Sequence, residues 1–169
     1  MELPEDYGEM EAAIRTAVAD RWRALAGIGV VHERERYVPN LAKWIELMTV
    51  PGPRGKKVVR GCMISLLGFE PRRNDGGMCR NPLRLFYGIE VVYGFEDGGT
   101  SGGTTVPDSA AGFNALLMHA FDSFENDHEL GFSRVEHTGL ETLENAELRV
   151  YDQTVAHVTT LGLTVEVDR

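Results

Sequence analysis

From Leu83 to Phe95, apolar side chains fall on every second residue: Leu83, Leu85, Tyr87, Ile89, Val91, Tyr93 and Phe95, without a miss over 13 positions. A period of two lines one side of an extended backbone, so the spacing predicts a strand with these side chains on one face. At ~3.3 Å per residue this strand would run about 43 Å. A compact domain of this length has a radius of gyration near 15 Å, about 2.2·N^0.38. The strand is therefore expected either to bend at Gly88 or Gly94, or to project as an arm that needs a partner.

Helical spacing governs two other stretches. Met10, Ile14, Val18, Trp22 and Leu25, with Ala13 and Ala17 beside them, form one apolar stripe. Glu9 and Glu11 stand near its start and Arg21 and Arg23 near its end, as the helix dipole favours. Gly27 is expected to stop it as a left-handed cap. In the second stretch, Asp108 or Ser109 reads as an N-cap. Phe113, Leu116, Leu117, Ala120, Phe121 and Phe124 mark the buried face, and Leu130-Gly131 ends the segment. A shorter amphipathic helix is expected around Leu41, Trp44, Ile45 and Met48, ended by Pro51-Gly52-Pro53.

The remaining pattern is β. Val58 to Phe69 is nearly continuously apolar, as a strand covered on both faces should be. Pro71 to Pro82, with Asn74-Asp75-Gly76-Gly77, reads as a loop. Asp97 to Thr105, with two Gly-Gly pairs, reads as a flexible loop. It lacks the Gly-Lys-Ser/Thr ending of a phosphate-binding loop. Ala146, Leu148 and Val150 alternate with charged neighbours, and Leu161, Leu163, Val165 and Val167 share one face of a last strand. Helix, short helix, strands, helix, strands is an α+β order: a mostly antiparallel β-sheet with two long helices packed on one face, in a single domain over 1–169. There is no βαβ alternation and no internal repeat, which argues against a doubly wound nucleotide-binding fold.

Composition narrows the class. At 43% hydrophobic and 25% charged residues, the chain is that of an ordinary globular protein. Its acidic N-terminal segment does not resemble a secretory signal, and no apolar run is long enough to span a membrane. Cys62 and Cys79 match no zinc or redox spacing, and the expected compartment is a reducing cytosol. The net charge of −9 is unevenly placed. Eight bases against two acids give residues 51–84 a charge of +6, which leaves −15 on the other 135 residues. Sequence-specific nucleic-acid binding is disfavoured by that balance. The basic segment, represented by Arg54, Lys56, Lys57, Arg72 and Arg73, is instead a candidate contact with an acidic neighbouring subunit; its plain alternative is a solvated loop and strand edge.

No constellation names a reaction. His119, Asp122 and Glu125 recur at three-residue spacing on one helix face but lack a second ligand pair. His128 suits a helix C-terminus. His32, Glu33 and Glu35 lie in a stretch of alternating charge, and His137 and His157 fall in strands. No Ser, Thr or Cys sits in a nucleophile signature. No catalytic residue, cofactor or metal is expected.

Read in order, the stretches GIGVVHERERY, VVRGCMISLLGF, LRLFYGIEVVYGF, VPDSAAGFNALLMHAFDSF and NAELRVYDQTVAHVTTLGLTVEV resemble the small tail-terminator, or tail-completion, proteins of long-tailed bacteriophages. The resemblance covers about Met10 to Val167 and lies in element order rather than in an invariant motif. It implies an α+β virion subunit, assembled in the host cytoplasm, that forms a ring, commonly a hexamer. Such a ring sits at the head-proximal end of the tail tube, stops its polymerisation and meets the head connector. DNA would pass through it. The family carries no catalytic residues. The Gly-rich loop at 97–105 has no counterpart in that pattern. Head-completion, connector and other adaptor proteins share the size and the lack of catalytic residues, and a small enzyme or ligand-binding domain is the remaining alternative.

Overall fold

The computed structural model describes the chain except for residues 37, 39, 53–56, 72–81, 96–98, 102–103, 107, 152–153 and 169. Helix α1 (Tyr7–Arg23) begins at Asp6, whose carboxylate accepts from the backbone N–H groups of Gly8 and Glu9 at 2.9 and 3.0 Å. The predicted stripe is the buried one, with Met10, Ile14, Val18 and Trp22 at most 2% exposed. The helix stops earlier than expected. Ala24 is its C-cap, and Gly27, at φ +84°, turns the chain after the helix has ended.

Strand β3 (Lys57–Pro71) pairs with β4 (Leu83–Gly94), which pairs with β8 (Thr154–Val167), which pairs with β7 (Val135–Tyr151), all antiparallel. On its outer edge β3 takes β1 (Val30–His32) in parallel and β2 (Thr49–Pro51) antiparallel. Among the described residues β3 has no strand on that edge beyond Met63. The α+β order predicted from sequence is the observed one. The central strand is not a free arm: β4 is paired with β8 from Leu83 to Gly94. Its length is matched by its neighbours: β3, β7 and β8 run 15, 17 and 14 residues against its 12.

Helix α3 (Ser109–Glu125) joins α1 on one face of the sheet. Their side chains meet Cys62 and Ile64 of β3, Leu85, Tyr87, Ile89, Val91 and Tyr93 of β4, and Leu161, Leu163, Val165 and Val167 of β8. Each large side chain so buried contributes roughly 1.5–3 kcal/mol relative to an exposed one. Phe95 lies just past β4 and is 40% exposed. The other face is covered only in part, by α2 (Leu41–Leu47) and Met48. These pack on Val59, Val92, Ala156 and Val158, and Trp44 stacks on Tyr151 at 4.5 Å. Helix α2 passes directly into β2, so a strand rather than the Pro-Gly-Pro turn follows it.

Two expectations need correction. Coverage of β3 on both faces ends near Ile64: Leu66, Leu67 and Phe69 are 38%, 61% and 69% exposed, although Tyr87 and Leu85, the β4 partners of Leu66 and Phe69, are buried, so the covering layer reaches β4 but not this end of β3. The segment expected as a flexible loop at 97–105 contains a short hairpin, β5 (Gly99–Ser101) and β6 (Thr104–Val106), in a two-stranded sheet of its own. Its β-branched Thr100, Thr104, Thr105 and Val106 favour extended backbone, and Gly102-Gly103 separates its strands in sequence. The expected loop at Pro71 to Pro82 falls almost wholly outside the described residues.

Candidate interaction surface

Of the five basic residues singled out by sequence, Arg54, Lys56, Arg72 and Arg73 lie outside the described residues. Lys57 is exposed at the head of β3, in register with Pro51 of β2. Two more bases of the same segment are placed. Arg84 is engaged within its own sheet, 2.6 Å from Glu166 and 3.5 Å from Glu70. Arg60 lays its guanidinium over the Tyr93 ring, 4.2 Å from the centroid, and its Nε is buried with no hydrogen-bond partner.

Lys57 and Arg60 line one open cleft of about 390 Å³ at the end of the sheet, together with Thr49, Phe95 and Thr154. Among the described residues no carboxylate lines it. Glu46, whose carboxylate feels the charge of Lys57, is held by Lys43 at 2.7 Å. The cleft is therefore a positively charged recess with hydroxyls at its wall and one exposed aromatic ring.

The acidic counterpart lies on β7. Glu141, Glu144 and Glu147 are exposed, opposite Gly162, Thr160 and Val158 of β8, and so share the face turned away from α1 and α3. Arg149 reaches both Glu144, at 3.1 Å, and Glu147. Thr160 donates to Glu144 at 2.9 Å. β7 departs from regular pairing at three places between His137 and Glu147. Bulges and charges of this kind keep an exposed edge strand from pairing indiscriminately.

The polar side chains at the start of α3 meet β8. Ser109 Oγ lies 3.1 Å from His157 Nε2, and Asp108 is adjacent. The 48-residue separation hides this pair from sequence. Ser109 is only 2% exposed. The Asp108 carboxylate accepts from Ala110 and Ala111 N–H as the helix cap. The imidazole stacks on Phe113 at 5.4 Å and meets Phe95 at 5.6 Å, and burial holds its pKa below the usual value. The arrangement ties the start of α3 to β8.

His137 is 5% exposed. Its Nδ1 accepts from Gly139 N–H at 3.0 Å, so a neutral ring carries its proton on Nε2, which donates to the Asp127 carbonyl at 2.7 Å. Burial also holds its pKa down. His128 Nδ1 donates to the His137 carbonyl at 3.2 Å, and His32 Nε2 to that of Leu47 at 3.1 Å. His119, Asp122 and Glu125 are exposed, and among the described residues no three ligating side chains converge on a metal position. Cys62 is buried without a disulfide, and burial pushes its thiol pKa well up. No described helix is long and apolar enough to cross a membrane. No protein-family model and no curated protein matches this sequence.

Proposed function

We propose that the chain is a structural subunit of a phage tail, assembling as a ring at the head-proximal end of the tail tube. There it ends tube polymerisation and joins the tail to the head connector. The observation that carries this reading is a surface suited to contacts with other proteins. Leu67, Phe69, Leu143, Leu148 and Val150 are each at least 48% exposed, on strands at or near the sheet edges. Exposed apolar residues in such numbers favour a protein–protein interface. The separation of basic and acidic regions favours heterologous contacts, the kind that close into rings. Element order along the chain adds the tail-terminator resemblance.

In this reading the protein has no catalytic activity, cofactor or membrane partner. Its partners are further copies of itself, six to a ring, together with the tail tube and head-connector proteins; its place is the virion. Electron microscopy of the purified protein tests the assembly: annular particles with a central hole are expected. A monodisperse monomer at all concentrations and ionic strengths would remove the reading. Addition to polymerising tail-tube protein separates a terminator from a neck adaptor. A terminator caps growing tubes and limits their length, whereas a neck adaptor leaves elongation unchanged.

A further inference from the structure

Resting on that ring reading, we propose that the Lys57–Arg60 cleft is one half of the subunit contact and receives the Glu141, Glu144 and Glu147 carboxylates on β7 of a second copy. Three observations point to this pairing. Among the described residues the cleft offers two cations and no lining carboxylate, with Arg60 Nε left without an acceptor. The three glutamates stand on the edge strand at the other side of the sheet, and among the described residues Arg149 is the one cation that engages them. Between β3 and β7 lie β4 and β8, so three strand spacings, about 14 Å, separate the two patches across one sheet. Each copy's cleft is thus directed to glutamates that its own fold holds elsewhere.

A contact between two different patches repeats in one direction around an axis, which suits a closed ring better than a two-fold pair. Phe95 at the cleft and Leu143 between the glutamates, 40% and 48% exposed, bring apolar surface to the same contact. The charges then set orientation and encounter rate, while apolar burial supplies the larger part of affinity.

The test uses two full-length variants. Lys57→Glu places an acid in the cleft, and E141K/E147K places two bases on β7. Each alone should associate at least tenfold more weakly than wild type by sedimentation at low salt. An equimolar mixture should recover association to within about threefold, because each reversed patch then meets its complement on the other variant. A wild-type protein that assembles, with variants that assemble equally well, overturns this contact and leaves the ring reading intact. A wild-type protein that never assembles removes the ring reading itself. If Lys57→Glu fails to fold, carbodiimide coupling of mixed light- and heavy-isotope wild-type protein decides the matter. An amide joining Lys57 of one copy to Glu141, Glu144 or Glu147 of the other is expected. Assembled protein that gives inter-copy links elsewhere but none of these would also overturn the proposal.

Discussion

The carbonyl oxygen of Val30 occupies the place where a side chain on residue 61 would begin: a Cβ built on Gly61 would lie 2.4 Å from it. The two residues are register partners in the parallel pairing of β1 with β3. The obstacle is backbone rather than a movable side chain, so alanine at 61 must push β1 away from the sheet.

Gly61→Ala is therefore expected to destabilise the fold by about 1–3 kcal/mol, the usual cost of overpacking. Gly88 is the internal control. A Cβ there would come 3.1 Å from the Leu67 methyl groups, and Leu67 is 61% exposed and free to move aside. Gly88→Ala should cost clearly less than Gly61→Ala, because only an exposed, movable side chain has to give way. Urea unfolding of both variants checks the contrast, and equal losses would show that β1 yields as easily as Leu67 does.

A second expectation concerns acid. Burial holds His137 neutral in the fold, with a pKa below its ordinary 6.5. The unfolded chain then binds more protons as pH falls below that value. Stability contributed by the neutral ring is complete above about pH 6.5 and is lost as pH drops toward the folded-state pKa. His137→Asn keeps an acceptor for Gly139 N–H but cannot titrate. It should be less stable at pH 7.5 and show a shallower decline between pH 6.5 and 5. Thermal melts across that range measure the difference, and an unchanged slope would place the proton-linked loss at other groups.

Glu90 acts with the opposite sign. Its carboxyl, partly buried between Met63 and Thr160 on neighbouring strands, is pushed above its ordinary 4.5, first by burial and then by Glu144, against a lowering by Arg149. The fold thus prefers the protonated form, and stability falls as pH rises from 4.5 through the raised value. Glu90→Gln should raise the melting temperature at pH 7.5 and leave it nearly unchanged at pH 4. A variant less stable at both would mean that the carboxylate makes a contact worth more than its burial costs.

The reach of sequence differs between neighbouring strands. Alternation in β4 was readable because one of its faces meets both helices, which demands apolar residues at Leu85, Tyr87, Ile89, Val91 and Tyr93. β3 shows why an unbroken apolar run is ambiguous. Ile64 is fully buried, whereas Leu67 and Phe69 are mostly exposed, and residue type cannot report where the covering layer stops. Caps were legible at Asp108 because the hydrogen bonds are local. The Ser109–His157 tether and the Lys57–Arg60 cleft depend on strands brought together from distant positions, and no local spacing encodes them.

Cys62 offers a chemical readout of the same core. It is 0% exposed, and burial disfavours its thiolate. A Cys79→Ser variant should therefore give no native-state reaction with a disulfide reagent such as DTNB, and one equivalent after unfolding in guanidinium. Reaction under native conditions at a rate independent of denaturant would reveal a local opening of β3 against α1.

The position of β8 in the sheet has a consequence for the protein's birth. This strand follows all the others in the chain yet lies between β4 and β7, in the interior of the sheet. On the ribosome, β4 must therefore wait with one flank unpaired until the final strand has been made, and Leu161, Leu163, Val165 and Val167 arrive last to a core they complete. Closing a sheet by such a distant strand is slow, and its open flank invites pairing with other nascent chains. Chaperone supply during translation should accordingly limit the yield of soluble subunit more than the stability of the finished fold does.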